Sequence, residues 1–160
     1  MYEQLTRLPL FQGATKEQIV ELIEKLPLHF VKLKAGETAV SHGDRCSHVR
    51  FIVSGSLDVT RPTPGGDQRY NIAAPAVLGP EFLFGASNVY PFDAIAGSDG
   101  CGLLLLTKRH FLTMLESNRI FMFNILNMLS TLAQRAPTPT SINYPPVAHA
   151  APPDAGPSND

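Results

Sequence analysis

Between residues 28 and 106 the chain is a succession of short β-prone runs, each cut off by turn residues before it could wind into a helix. The runs are 28–33, 37–40, 49–53, 57–61, 69–73 and 102–106. Between them stand Ala35-Gly36, Gly43-Asp44, Ser54-Gly55-Ser56 and a loop over 62–67 that contains Gly65-Gly66. Segments this short favour strand over helix, and glycine marks points where the backbone needs φ > 0 to reverse. Regular punctuation of this kind predicts an antiparallel sandwich or barrel, mainly β with flanking helices.

The flanks change chemistry. Over 15–26, Ile19, Leu22, Ile23 and Leu26 recur at helical spacing, with Glu17, Glu21 and Glu24 elsewhere. Thr15 fits the N-cap and Pro27 the position just past the end. From Lys108 a second apolar set, Phe111, Leu112 and Leu115, precedes a break at Ser117-Asn118. Beyond it, Phe121, Met122, Phe123, Ile125, Leu126, Met128, Leu129, Leu132 and Ala133 cover more than one face of a long helix. A helix apolar on two sides packs against its own domain and against a partner. The expectation is a homodimer with Phe121, Ile125, Met128, Leu129 and Leu132 in the seam. A helix wholly enclosed by its own domain is the alternative.

Composition shifts at Arg135. Half of the 14 prolines lie in 136–160, where no Lys or Arg occurs. Two units follow, an ordered domain at 1–135 and a Pro/Ala-rich tail at 136–160 that reads as disordered or polyproline-like. The tail lacks a clean P-x-x-P with a flanking basic residue, which argues against a docking site for proline-binding domains. A net charge of −1 leaves no footprint for nucleic acid, and no apolar run approaches a membrane span. The first residues do not resemble a signal peptide, so a cytoplasmic location is expected. Cys46 and Cys101 are too few for a disulfide framework and read as free thiols.

Several markers occur in a telling order. Leu10-Phe11-Gln12-Gly13 precedes the first helix, and Lys34-Ala35-Gly36-Glu37 and His42-Gly43-Asp44 mark corners. Phe51-Ile52-Val53-Ser54-Gly55-Ser56-Leu57-Asp58-Val59 has a hairpin pattern, and Leu78 to Ala94 has the frame of a phosphate cassette. From about Leu8 to Arg135 the chain resembles the Crp/Fnr family of bacterial transcription regulators. The resemblance implies a cyclic-nucleotide-binding-like β-roll (a jelly roll, or double-stranded β-helix) and a long C-terminal dimerisation helix. In such proteins ligand contact shifts that helix and re-aims DNA-binding domains.

In nucleotide-binding members the cassette reads F-G-E, then P-R-S/T-A. The glutamate accepts from the ribose hydroxyl, the arginine pairs with the phosphate, and backbone donors of a short helical turn assist. Here Phe84-Gly85 is kept, but Ala86 stands at the glutamate position. Pro91 is kept, but Phe92 replaces the arginine and Asp93 follows. Loss of one charge-assisted contact costs about 1.5–3 kcal/mol, so tight cyclic AMP binding is not expected. The donors of Gly85 to Ser87 either hold a small anion or form a structural turn.

The 25 residues after Arg135 also lack a winged helix-turn-helix, so no DNA contact by this chain alone is expected. A single-domain relative and a chain shortened by a changed reading frame remain open. His42, Cys46 and His48 have ligand types for zinc or haem but no recognised spacing, so a solvated trio is expected and haem or gas sensing is the minor alternative. No cofactor is predicted, an unknown small-molecule effector stays open, and no catalytic arrangement stands out. Two functions remain: a sensor and dimerisation domain whose pocket Phe84, Gly85, Ala86, Ser87 and Pro91 would line, or an interaction module without an effector. A sensor keeps a cavity there, whereas an interaction module fills it with side chains such as Phe92.

Overall fold

A computed structural model describes residues 2–135; the predicted tail lies outside the described residues. Six strands follow in the order β1 His29–Leu33, β2 Thr38–Val40, β3 His48–Arg61, β4 Gln68–Ala73, β5 Ala76–Val77 and β6 Asp93–Thr107. The helices are α1 Tyr2–Thr6 and α2 Lys16–Lys25 before the sheet, and α3 Lys108–Ser117 and α4 Arg119–Arg135 after it. The sheet order is β1-β6-β3-β4, with β2 also on β6 and β5 on β3, and every pairing is antiparallel. The β3–β4 connection is the glycine-containing hairpin expected at 62–67.

Two expectations need correction. Ser54-Gly55-Ser56 is not a turn between two strands; β3 runs through it as one strand of 14 residues. Its register against β6 slips between Ile52 and Ser54 and again between Gly55 and Leu57. Gly55, at φ 69, absorbs the irregularity as a bulge, so the strand bends and continues. The strand expected at 102–106 is longer, beginning at Asp93 as the 15-residue β6. Ala94 and Ala96 face inward there while Ile95 faces out, a strand alternation too weak in bulk to register in the sequence.

Local signals set the helices. Thr15 and Gln18 form a reciprocal capping box at the start of α2, and Ile19 and Leu22 carry its buried face. Thr107 caps α3 by accepting from the His110 amide at 3.2 Å. Asn118 separates α3 from α4 and accepts from the Ile120 amide at 3.0 Å. The Pro9–Phe11 turn then ties the N-terminus to α4. Phe11 lies 5.9 Å from Phe51 of β3 and 5.6 Å from Phe121 of α4 between ring centres. Asn124 of α4 donates to the carbonyls of Leu10 and Gln12 at 2.7 and 2.9 Å. Among the described residues no helix is long and apolar enough to cross a membrane.

The bulge makes a sharp prediction. An alanine Cβ at position 55 would overlap the Gly100 carbonyl oxygen, a backbone atom that cannot step aside. At Gly36, also at positive φ, nothing lies within 4 Å. Gly36→Ala should lose about 1–2 kcal/mol in urea unfolding, from backbone strain alone. Gly55→Ala should lose at least about 3 kcal/mol, strain and steric overlap together. Equal losses would show that the bulge relaxes freely.

Candidate functional site

The segment between β5 and β6 is where the cassette resemblance falls. Its short helical turn is Pro80–Phe82, entered from Gly79 at φ 53 and ψ 51. That is six residues earlier than Gly85, around which the sequence placed it. Proline explains the difference. Its φ is preset for the first helical position, where its missing N–H costs nothing, so Gly79-Pro80 starts the turn. A side chain at Gly79 would also press on the rings of Phe82 and Tyr90 at 3.1 Å. Gly85 and Ala86 instead lie in a bend, and they and Ser87 are exposed. In either frame the residue after the glycine, Pro80 or Ala86, carries no carboxylate.

The expected pocket residues point in three directions rather than around one cavity. Phe84 lies against α3, its ring stacked on Phe111 with centres 6.3 Å apart and planes 17° from parallel, and the Lys108 ammonium sits 5.9 Å from its centre. Phe92 is buried, with ring centres 5.4 Å from Tyr90 and 6.0 Å from Phe82. Pro91 is half-buried beside it. The Asp93 carboxylate faces away and accepts from the His42 amide at 2.8 Å, clasping the 41–46 loop. It is a loop clamp and not a charge opposed to a ligand.

The polar group that enters the roll is one the sequence did not single out. Tyr90 is fully buried, and its hydroxyl meets the Arg50 guanidinium at 3.1 Å and the Cys46 thiol at 3.1 Å. Burial pushes the phenol well above its ordinary pKa, the Cys46 contact adds to this, and the Arg50 charge opposes it. His48, next along the same face of β3, is held below the usual histidine value by burial, then by the charges of Arg50 and His29. Arg50 had one visible signal, a lone charge inside the apolar run 49–53. Tyr90 had none, because nothing local shows which side chain of an irregular loop turns inward.

The histidine and cysteine trio does not converge. Cys46 is buried against Tyr90, and His48 pairs through Nδ1 with the Ser47 hydroxyl at 2.8 Å. Among the described residues no three His, Cys, Asp or Glu side chains stand close enough to hold a metal ion. Burial pushes the Cys101 thiol up to about 11, which leaves it inert near neutral pH.

On α4 the expected dimer seam needs correction. Phe121 and Ile125 are 1% and 3% exposed within the chain itself, so they are core and offer no surface to a partner. Met128 and Leu129 pack partly on that core, and Leu132 lines a groove of about 520 Å³ between α4 and Pro75, Val77 and Pro80. Residues 121, 125, 128 and 132 follow one helical stripe, and that stripe faces the chain's own roll. A second stripe, Met122, Leu126, Leu129 and Ala133, lies about a quarter-turn away. Phe123 flanks it and is 63% exposed, and Leu126 is 51% exposed. Both faces are apolar, and only position relative to the sheet tells them apart.

Residues 30–118 match the model of the cyclic nucleotide-binding domain. That is more than half of the chain, and the chain belongs to this family. The Catabolite Activator Protein of Thermus thermophilus has a similar structure, with TM-score 0.67 and 18% identity over 79% of this chain and 58% of that one. The sensor domain of the transcriptional regulator DNR from Pseudomonas aeruginosa has TM-score 0.66 and 20% identity, over 88% of this chain and 95% of that one. The regulatory subunit of a cAMP-independent protein kinase A from Trypanosoma brucei has TM-score 0.65 and 20% identity, over 83% and 46%. These likenesses are of fold. The chain spans little more than half the length of the activator and most of the DNR sensor domain. No curated protein sequence is significantly similar to it. The fold is thus the β-roll of cyclic-nucleotide-binding domains with its C-terminal helices, as in Crp/Fnr-type regulators.

Two measurements probe the Tyr90 cluster. Tyr90→Phe removes the oxygen shared by Arg50 and Cys46 and should lose about 1–3 kcal/mol in urea unfolding; an unchanged midpoint would show that the hydroxyl holds nothing. His48 favours its neutral form in the fold, so the unfolded chain takes up the proton first as pH drops. Its contribution is complete above roughly pH 6.5 and is lost as pH falls through the lower folded value. His48→Gln should flatten that part of the stability–pH curve, and an unaltered slope would contradict the assignment.

Proposed function

We propose that this chain is the effector-responsive and dimerising part of a Crp/Fnr-type regulator, paired through α4, with no tight binding of cyclic AMP and no DNA contact of its own. The observation that carries this reading is the second apolar stripe of α4. Exposed Phe123 and Leu126 on a helix whose other face is already buried call for a partner surface, and a second copy supplies an identical one. The seam proposed is therefore Met122, Phe123, Leu126, Leu129 and Ala133, in place of the stripe that includes Phe121 and Ile125.

The case against cyclic AMP rests on chemistry. Neither frame of the cassette has a glutamate directly after its glycine, Glu81 lying one residue further on and exposed in the turn, and the inward-facing polar group is a phenol held by Arg50. Phe92 and Tyr90 fill the space beside the turn with rings. The Trypanosoma brucei neighbour is described as cAMP-independent, which fits a fold that survives without that ligand. The filled ring cluster also favours a second reading, an interaction module without any effector. Response of the unfolding midpoint to a small molecule separates the two.

The test has two arms on the full chain. Light scattering should give a dimer for the parent chain and a monomer for Phe123→Glu and Leu126→Glu, both with unchanged circular dichroism. A monomeric parent, or unchanged mass in both variants, overturns the α4 seam. A thermal-shift measurement with millimolar cyclic AMP should leave the midpoint in place. A ligand at 100 times its dissociation constant adds about 2.7 kcal/mol, so a clear rise would overturn the cassette argument.

A further inference from the structure

Arg50 is out of place by every rule of strand burial. Its neighbours Val49, Phe51 and Ile52 are core residues, and Ile52 shares its face of β3. An arginine so placed ordinarily has a carboxylate beside it. Among the described residues the one ion pair is Lys25 with Glu21, far along the chain on α2, so Arg50 has no such partner.

Its donors are unevenly used. Nη1 donates to the Tyr90 hydroxyl at 3.1 Å and, weakly, to the His48 carbonyl at 3.4 Å. The guanidinium also lies 5.5 Å from the centre of the Tyr90 ring. Guanidinium has five N–H donors, so the one on Nε and the two on Nη2 have no acceptor among the described residues. No buried side-chain nitrogen in those residues lacks a partner, so these donors reach solvent. The Nε and Nη2 hydrogens on one edge are parallel, the geometry that accepts both oxygens of a carboxylate or phosphate.

Two imidazoles stand on the same face as Arg50. His29, Leu105 and Arg50 pair across β1, β6 and β3 and so share a row and a face. His48 stands two residues along on the same face, opposite Thr107. Tyr90 holds the guanidinium from below, which lowers the ordering cost of a bidentate contact.

We propose that Arg50, oriented by Tyr90 and flanked by His48, is a binding site for a small oxyanion, the carboxylate or phosphate group of a metabolite, held side-on through Nε and Nη2. The site names the effector class for the sensor reading and rests on that reading only for its regulatory consequence. The link to the rest of the fold is direct. The Arg50 carbonyl accepts from the Leu78 amide at 2.9 Å where the cassette begins, and Tyr90 leads into Phe92.

The test is nitrogen-15 NMR of the full chain titrated with sodium phosphate, and separately sodium acetate, against sodium chloride of equal ionic strength. Saturable shifts should appear at the Arg50 Nε–H and at the Leu78 and Tyr90 amides. Phosphate alone or acetate alone would tell the two oxyanion sources apart. Arg50→Lys should weaken binding at least about tenfold by losing the fork, and Arg50→Met should abolish it. Shifts that grow linearly with salt, or that saturate equally in Arg50→Met, overturn the site. Should Arg50→Met not fold, the parent Nε–H titration and Arg50→Lys still decide the matter. Binding at Arg50 that leaves every α4 amide unmoved upholds the site and overturns sensing. No binding there, with a midpoint raised by some other compound, does the reverse.

Discussion

The long antiparallel pairing of β3 with β6 is the constraint on which the other parts depend. It runs from His48 opposite Thr107 to Thr60 opposite Asp93, and it borders both β1 and β4. Strands of this length twist and would diverge if they stayed straight. The bend at Gly55, set close against the Gly100 carbonyl, lets one ladder wrap into a roll without breaking. β1 and β2 both register on β6, and β4 and β5 on β3, so a fault in the central pair displaces every edge.

From that ladder two groups are hung on opposite sides. On one, Phe51 meets Phe11 and through it Phe121, which seats α4. On the other, Arg50 meets Tyr90, which seats the cassette. Adjacent residues of one strand therefore address the helix and the loop, because successive strand side chains alternate faces. The cassette returns to the helices through Phe84 on Phe111, and Pro80 lines the groove beside the end of α4. The cassette therefore touches both C-terminal helices.

Parts of this were legible from local chemistry. The capping box at Thr15, the break at Ser117-Asn118 and the hairpin at 62–67 each depend on a few neighbouring residues, and each appears where those residues predict. The bulge at Gly55 was misread because a glycine between two serines has the same local preferences in a turn and in a bulge. The cassette turn was misplaced because two glycines, Gly79 and Gly85, compete for it, and the proline after the first decides. Of the candidate site, Phe84 lies in the expected segment but turns onto α3, whereas Phe92 fills the interior, as one of the two sequence readings allows.

Local propensity and periodicity, which are properties of neighbours in the chain, determined by themselves a strand-rich roll with helices at both ends and an apolar final helix. The sequence also places Ala86, and not a glutamate, directly after Gly85. Only the tertiary structure decided which stripe of α4 is core, since Phe121 and Leu126 have similar hydrophobicity and differ in what the sheet places against them. It alone joined Tyr90 to Arg50 and Cys46, which lie 40 and 44 residues before it and attract it only at hydrogen-bond range. Burial and charge pairing are set by what surrounds a side chain in space, and that is not written in its neighbours along the chain.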